Sequence, residues 1–360
     1  MGRHFTTDCE GPISKNDNAQ ELSAHFVLHG ERFFAVVSKY DDFLADVMKK
    51  PGYKAGDTLK LILPFLIAYG ATNDSIHNYS RTHILLIPGA AEALRFVRSR
   101  MASFIISTSY EPYIKALCDV IDFPVDRVFS TQVDIDRYPM SPDERSWLRE
   151  TAVEIGEMEI LEWTEDAAGI EGLPQGHRQT LERLDHIFWG SIPQMSVGRI
   201  FDEVNPIGGR EKAKAVLKSL EKTGNDIEDV MYVGDSITDV QALDLVNEGG
   251  GLAVSFNGNG YAIRSSLVCC MSNDAKATAI LADVFDRLGR DGVFDLVSSW
   301  GTDDLSRFSI DRDLLAWLNN VPREAFPRLD LISDSNRKDL TDASETFRKS
   351  IRGVEIGGLG

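Results

Sequence analysis

Much of the sequence alternates short apolar runs with amphipathic helical segments, and this alternation limits the fold more than any other feature. The runs have the length of buried strands, and the segments between them have helical periodicity. Such alternation predicts an α/β fold with a parallel central sheet and right-handed crossovers. The predicted strands are Phe5–Asp8, Phe104–Ile106, Val230–Val233 and Leu252–Phe256, and the predicted helices include Ala90–Arg100, Glu211–Lys222 and Val240–Asn247.

Two long segments interrupt this alternation, and a third follows it. Within the first, the apolar residues of Leu22–Val47 recur at spacings of three, four and seven, which predicts one face of a helix. The second is polar and charged and contains the Gly/Pro-rich break Gly172–Gly176. We predict a core of residues 1–15, 85–130 and 206–290, a helical insertion at 16–84, a second insertion at 131–205 and a helical C-terminal extension at 291–360.

The chain is acidic, and its composition excludes several classes of partner. Its 360 residues carry a net charge of −18, which opposes binding to nucleic acid and to anionic lipid surfaces. The most apolar stretch, Leu59–Ala71, is shorter than the roughly 20 residues of a membrane span, so we expect a buried helix. The four cysteines fit neither a disulfide framework nor a metal site, and the N-terminus lacks a signal-peptide pattern, so we expect a cytoplasmic location.

Acidic and hydroxyl side chains follow three of the predicted strands. Ligands of parallel sheets bind at the carboxyl ends of the strands, where such side chains converge. Magnesium prefers carboxylate oxygens, and no cluster of histidines or cysteines offers a softer site. We therefore predict a cleft that binds Mg²⁺. Its acidic residues are Asp8 and Glu10 after the first strand and Asp235 and Asp239 after a later one, with Ser107 and Thr108 after the strand Phe104–Ile106.

This combination suits phosphoryl transfer through a covalent intermediate. With magnesium shielding the phosphate, an aspartate can attack phosphorus and form an aspartyl phosphate, which makes Asp8 the candidate nucleophile. Glu10 faces the same cleft and is the candidate general acid and base. The serine–threonine pair and a lysine are candidates for binding the phosphoryl oxygens. Periodicity places Lys212 and Lys214 alike beside the apolar face of their helix. A positive charge in the first turn is opposed by the helix dipole, and a bound phosphate would offset that repulsion, which favours Lys212.

The motifs and their order resemble those of the haloacid dehalogenase (HAD) superfamily of phosphatases. They are DCEG at Asp8–Gly11, FIIS at Phe104–Ser107, the lysine of GGREKAKAV, and GDSITD at Gly234–Asp239. The resemblance implies a Rossmann-like core and Mg²⁺-dependent hydrolysis of phosphoric monoesters. In that case Ser107 and Lys212 bind phosphate, Asp235 is a metal ligand, and Asp239 supports the lysine and the metal.

The arrangement of the insertions adds to the resemblance. A helical insertion between the first two motifs is the cap placement of the phosphoserine phosphatase branch, which implies that residues 16–84 form a cap. The insertion at 131–205 departs from that branch and is expected to be a second cap or an interaction module. The overall layout is similar to a largely archaeal group of predicted phosphatases, some of them labelled as hydrogenase-associated.

One position departs from the family pattern, which usually has aspartate where this chain has Glu10. Its extra methylene alters the geometry of proton transfer, although a DLEG version occurs in a branch that also transfers phosphate to homoserine. We predict a phosphatase that acts on a small phosphorylated metabolite. Two alternatives stay open: a weakly active or inactive regulatory or binding subunit with a protein partner, and a phosphotransferase acting on an acceptor alcohol.

Overall fold

The short apolar runs of the sequence form strands that are buried on both faces, as parallel sheets covered by helices require. The structure, a computed structural model, describes residues 2–163, 169–301 and 305–353. Its strands are β1 (His4–Thr7), β2 (Ala102–Tyr110), β3 (Val128–Thr131), β4 (Val230–Gly234), β5 (Leu252–Phe256), β6 (Val268–Met271) and β7 (Arg328–Leu331).

These strands form one seven-stranded sheet in the order β3-β2-β1-β4-β5-β6-β7. Neighbouring strands are parallel except for β6 and β7, which are antiparallel. The predicted α/β fold with a central parallel sheet is confirmed. Because β1 lies between β2 and β4, the segments that follow these three strands meet at one edge of the sheet.

Helices cover both faces of the sheet. One face packs against α5, α6 and α13, and the other packs against α10 and α11. The helices are α1 (Asn18–Phe26), α2 (Gly30–Asp42), α3 (Thr58–Ala68), α4 (Asn73–Thr82), α5 (Ala90–Arg98), α6 (Glu111–Ile121), α7 (Pro142–Glu157), α8 (Gln175–Asp185), α9 (Ile200–Glu203), α10 (Arg210–Thr223), α11 (Val240–Glu248), α12 (Gly260–Ser265), α13 (Lys276–Ser298), α14 (Arg312–Asn320) and α15 (Arg337–Arg352).

The two insertions pack together around a second hydrophobic core. Apolar residues of α1, α2 and α3 from residues 16–84 contact those of α7 and α8 from residues 131–205. The apolar stretch Leu59–Ala71 supplies α3, whose side chains are almost all buried, so the prediction of a buried helix there is confirmed. We call this helical layer the cap layer.

Strand β2 is longer than the sequence predicted. Ser107 and Thr108 were expected to follow the strand, but both lie inside it, because the backbone stays extended as far as Tyr110. The pairing with β3 shifts register between Ile106 and Tyr110, where Tyr110 pairs with Thr131. The hydroxyl-rich run therefore forms an irregular part of the strand and does not follow it.

The C-terminal extension contains a strand as well as helices. Its segment Arg328–Leu331 forms β7, and α14 and α15 flank that strand in the chain. Residues 354–360 of the predicted extension lie outside the described residues. Within the part of the chain that is described, no helix combines the length and apolarity needed to cross a membrane.

Candidate active site

Asp8 lies at the carboxyl edge of the sheet, directly after β1. Its backbone N–H donates to the Val233 carbonyl at 2.8 Å, which continues the pairing between β1 and β4 by one residue. The Cys9 N–H donates to Asp8 Oδ1 at 2.7 Å and fixes the orientation of the carboxylate. The side chain is only slightly exposed but borders a cavity. Asp8 is therefore held rigidly with access to a small ligand.

Lys212, in the first turn of α10, is fully buried beside Asp8. Its Nζ lies 2.8 Å from Asp8 Oδ2 and 2.7 Å from Asp239 Oδ1. Lys214 instead is exposed and pairs with Glu211 at 2.7 Å. Burial opposes the charged form of Lys212, but Asp239 and Asp8 outweigh it and raise the pKa of the lysine. The lysine is thus a fixed positive charge at the candidate nucleophile.

Asp239 holds this arrangement together. Its two carboxylate oxygens accept hydrogen bonds from Lys212, from the Tyr232 hydroxyl at 2.7 Å, and from the backbone N–H groups of Asp235 and Ser236 at 3.0 and 3.2 Å. A side chain at Gly234 would collide with this carboxylate, since its Cβ would lie 2.6 Å from Asp239 Cγ. The glycine of GDSITD is therefore required for the aspartate to fold back over the strand end.

Three carboxylates are close enough to share one cation. Asp8, Asp235 and Asp239 each offer an oxygen within 4.8 Å of the others, and all three are buried. Such a set of hard oxygen donors fits Mg²⁺, which usually takes one or two carboxylates and completes its shell with water and phosphate oxygens. Asp239 accepts from four donors, whereas Asp8 and Asp235 each contact two, so Asp8 and Asp235 are the better-placed ligands of the three.

Burial raises the pKa of Asp8 above its ordinary value. The Asp239 carboxylate adds to this increase, and Lys212 opposes it. One lysine is shared by two carboxylates, so it compensates each of them only in part. A bound cation would favour the ionised form of Asp8 that nucleophilic attack requires.

Glu10 borders the same cavity, but its carboxylate is turned toward the cap layer. Its Oε1 accepts a hydrogen bond from the Asn18 N–H at 2.7 Å, at the start of α1. Burial and the nearby Asp17 carboxylate raise the pKa of Glu10 well above its usual range, and the Asn18 hydrogen bond acts in the opposite direction. Burial therefore favours the protonated form of Glu10, which is the form that a general acid requires.

The two candidate hydroxyls occupy different positions. Ser107 is buried, and its hydroxyl donates to Ser109 Oγ at 3.1 Å. Thr108 borders the cavity, and its hydroxyl donates to the Ile207 carbonyl at 3.1 Å. Both lie at the edge of the sheet that carries Asp8, and neither is bonded to the acidic cluster.

Two arginines that the sequence analysis did not single out also reach this site. Arg348 and Arg352 of α15 both donate to Asp235 Oδ2, Arg352 at a distance of 3.3 Å. Arg348 also donates to the Asp235 carbonyl at 3.2 Å and is 3% exposed. Their separation by four residues on a polar helix was the only available signal, and many surface helices share it.

The cavity at the site has a volume of about 100 Å³. Burial, and then the Asp42 carboxylate, raise the pKa of the cap-layer residue Asp41 to about 7. The cavity is bordered by core residues Asp8, Glu10 and Asp235, cap-layer residues Asp41 and Asp42, and Arg348 of the extension. All three parts of the chain therefore contribute to one small cavity.

Comparison with known proteins gives one extensive likeness and several partial ones. Gene product AF1437 from Archaeoglobus fulgidus aligns over 100% of this chain and 99% of its own, at 27% identity and a TM-score of 0.81. A substrate-bound phosphoserine phosphatase covers 75% of this chain and 92% of its own, at 12% identity and a TM-score of 0.42. A HAD-family hydrolase from Salmonella enterica serovar Typhi covers 71% and 62%, at 11% identity and a TM-score of 0.40. No family model and no curated protein matches the chain.

Proposed function

We propose that this protein is a magnesium-dependent phosphatase that hydrolyses a small phosphorylated metabolite through an aspartyl phosphate on Asp8. The observation that carries the proposal is the buried contact of Lys212 with both Asp8 and Asp239, next to Asp235. A carboxylate nucleophile, a fixed cation and a cluster of oxygen donors at one sheet edge are the groups that phosphoryl transfer requires.

In the proposed first step, a carboxylate oxygen of Asp8 bonds to phosphorus and the bond from phosphorus to the ester oxygen breaks. Glu10 donates its proton to the departing oxygen, which leaves as an alcohol. Water then attacks the phosphorus of the aspartyl phosphate, and Glu10 takes the proton from that water. The bond to Asp8 breaks, which restores both carboxyl groups and releases inorganic phosphate.

The remaining residues hold the phosphoryl group. Lys212 offsets the negative charge that accumulates on its oxygens, and the hydroxyl of Ser107 or Thr108 is the proposed further donor. Asp8 and Asp235 would hold the magnesium ion, with Asp239 supporting the lysine and Glu10 lying nearby. When bound, the ion shields the phosphate charge that otherwise repels the attacking carboxylate.

The size of the site supports a small substrate. A cavity of about 100 Å³ beneath the cap layer has room for a phosphoryl group and a few further atoms, and a folded protein substrate would not fit.

The test is phosphate release from a panel of phosphorylated metabolites, with and without Mg²⁺. We expect release by the wild-type protein with Mg²⁺ and none by Asp8→Asn, which keeps the shape of the side chain and lacks the nucleophilic oxygen. Equal release by the two proteins would contradict the proposal. The Glu10→Asp variant shows whether the additional methylene limits turnover, and phosphate found on an added alcohol would indicate phosphotransfer.

A second candidate, a regulatory or binding subunit with little turnover, is favoured by the arginines paired with Asp235. Purification from the native host distinguishes it. A stable stoichiometric complex without hydrolysis supports this candidate, whereas a free and active protein excludes it.

A further inference from the structure

Helix α15 inserts two positive charges into the candidate metal site. Arg348 and Arg352 lie one helical turn apart and project from the same face. Both contact Asp235 Oδ2, and both are almost fully buried, with side chains 3% and 5% exposed. Arg352 also donates to the Lys15 carbonyl at 3.1 Å, so the helix contacts the segment that joins the core to the cap layer.

These contacts occupy a carboxylate that the proposed function assigns to magnesium. A guanidinium and a divalent cation at one carboxylate repel each other, and burial strengthens the repulsion because little water screens it. A Cβ on Gly11 would lie 2.1 Å from Asp235 Oδ2, so the glycine leaves the room in which this carboxylate meets the arginines. The arginines and the cation therefore compete for the same group.

The docking of α15 depends on a small contact area. Leu340 packs with Ile263, Cys269 and Met271 in the smallest of the hydrophobic clusters. The Ser344 hydroxyl donates to the Gly258 carbonyl at 2.7 Å, which fixes the middle of the helix. Glu345 accepts a hydrogen bond from the Gly260 N–H at 3.0 Å, and the half-buried Ala343 and Phe347 pack at the margin of the same cluster. The rest of the helix is largely polar, so the buried contacts of the two arginines are a substantial part of its docking.

We propose that α15 is a latch whose arginines compete with a divalent cation for Asp235, so that helix docking and metal binding oppose each other. The inference rests on the proposed function, because it takes Asp235 as a metal ligand. Linkage makes the effect reciprocal: whatever weakens the docked helix tightens metal binding, and bound metal loosens the helix by the same factor.

The direct test is Mg²⁺ binding to the full chain by isothermal titration calorimetry, with no substrate present. We expect Arg348→Gln to bind Mg²⁺ at least about tenfold more tightly than wild type. Lys349→Gln is the matched control, since it removes one positive charge from the neighbouring exposed position of the same helix. We expect the control to bind Mg²⁺ as the wild type does.

A second variant separates a latch from a purely local charge effect. Leu340→Ala weakens docking of the helix at the hydrophobic cluster and leaves both arginines in place. We expect it to tighten Mg²⁺ binding by several-fold, and we expect Mg²⁺ to accelerate amide hydrogen exchange in residues 337–352 of the wild-type protein. These results do not depend on whether Arg348→Gln folds well.

The outcomes separate this inference from the function on which it rests. Equal Mg²⁺ binding by wild type, Arg348→Gln and Leu340→Ala overturns the latch and leaves the phosphatase proposal standing. Weaker binding by Arg348→Gln also overturns the latch and shows that the arginine orients Asp235 for the metal. If no variant binds Mg²⁺, the metal site and the latch fail together.

Discussion

At the scale of single residues, Gly11 controls the position of Asp235. Its φ of +104° belongs to the left-handed region, and a Cβ there would lie 2.1 Å from Asp235 Oδ2. A side chain at this position would therefore cause both backbone strain and a collision with Asp235.

We predict that Gly11→Ala reduces kcat/KM by at least about 100-fold, because small displacements of reacting groups cost that much. Gly52→Ala is the matched control: Gly52 also has a positive φ, but a Cβ there has open space. Steady-state kinetics and thermal melting of both variants check the prediction. Equal losses of activity in the two variants would show that strain, and not displacement of Asp235, is responsible.

Lys212 and Lys214 provide a second comparison at this scale. We predict that Lys212→Gln lowers kcat by about 100-fold or more, as loss of a donor to the phosphoryl oxygens does, and that Lys214→Gln has no effect. Phosphate-release kinetics of both variants measure this. Comparable activity of the two variants would argue against a role for Lys212.

The same pair shows the limit of the sequence at this scale. Both lysines flank the apolar face of α10. Periodicity identifies that face but does not show which of the two lysines reaches the site. The difference between them is the neighbour each meets: Asp8 and Asp239 for Lys212, Glu211 for Lys214. Glu211 lies on the same helix as both lysines, but Asp8 and Asp239 come from other parts of the chain, so only the folded chain shows that Lys212 reaches the site.

At the scale of elements, β1 contains a buried histidine that links folding to pH. His4 is fully buried, stacks on Phe104 at 5.0 Å between ring centroids, and lies 2.8 Å from Ser219 Oγ through Nε2. Burial lowers the pKa of His4 to about 4. The folded protein therefore keeps this side chain neutral under conditions in which the unfolded chain binds a proton.

We predict that this residue destabilises the protein as the pH falls from about 6.5 to about 4, by up to about 3 kcal/mol in the free energy of unfolding. The unfolded state binds the proton more strongly, so protonation of His4 favours unfolding. The contribution of neutral His4 to the free energy of unfolding is therefore complete above pH 6.5 and is lost as the pH falls toward 4. Urea denaturation of wild type and His4→Gln at several pH values measures it. The same pH dependence in both proteins would exclude His4 as the cause.

Elements were predicted from sequence most reliably where their pattern is local. Strand β5 matches its predicted bounds, and α10 and α11 match theirs within one residue. The run Ser107–Ser109 was expected to follow the strand, but the backbone stays extended through it as far as Tyr110, which pairs with Thr131 of β3. Strand β7 was missed because its four residues alternate charged and apolar side chains at the sheet edge, a pattern too short to distinguish from a loop.

At the scale of the whole molecule, the site depends on how closely the cap layer lies on the core. A Cβ on Gly208 would lie 2.3 Å from the Ala55 carbonyl oxygen, and a Cβ on Gly56 would lie 2.9 Å from Thr108 Cγ2. The Tyr261 hydroxyl of the core donates to Asp46 Oδ2 of the cap layer at 2.9 Å. Glycines therefore permit a close approach of backbone between the two parts.

We predict that Gly208→Ala separates the cap layer from the core and lowers kcat/KM by about 10- to 100-fold with little change in melting temperature. Gly172→Ala, in the second insertion, is the control because a Cβ there meets no atom within 4 Å. A large fall in melting temperature for Gly208→Ala, with activity retained, would contradict this view of the interface.

The acidic residues of the site could be predicted at this scale, and its two arginines could not. Asp8, Asp235 and Asp239 follow strands, so the parallel topology alone brings them together. Arg348 and Arg352 lie more than a hundred residues beyond Asp235 on a helix whose docking no local pattern reveals. The net charge of −18 likewise gave no indication that three buried cations meet at this cleft.

The most direct test of the central claim is identification of the residue that carries the phosphoryl group. The protein is mixed with Mg²⁺ and a chromogenic phosphate ester, quenched in acid and reduced with borohydride, which converts an aspartyl phosphate to homoserine; peptide mass spectrometry then locates the change. We predict homoserine at position 8 in the wild-type protein and none in Asp8→Asn. Release of phosphate with position 8 unmodified, or modification at another carboxylate, would contradict the account.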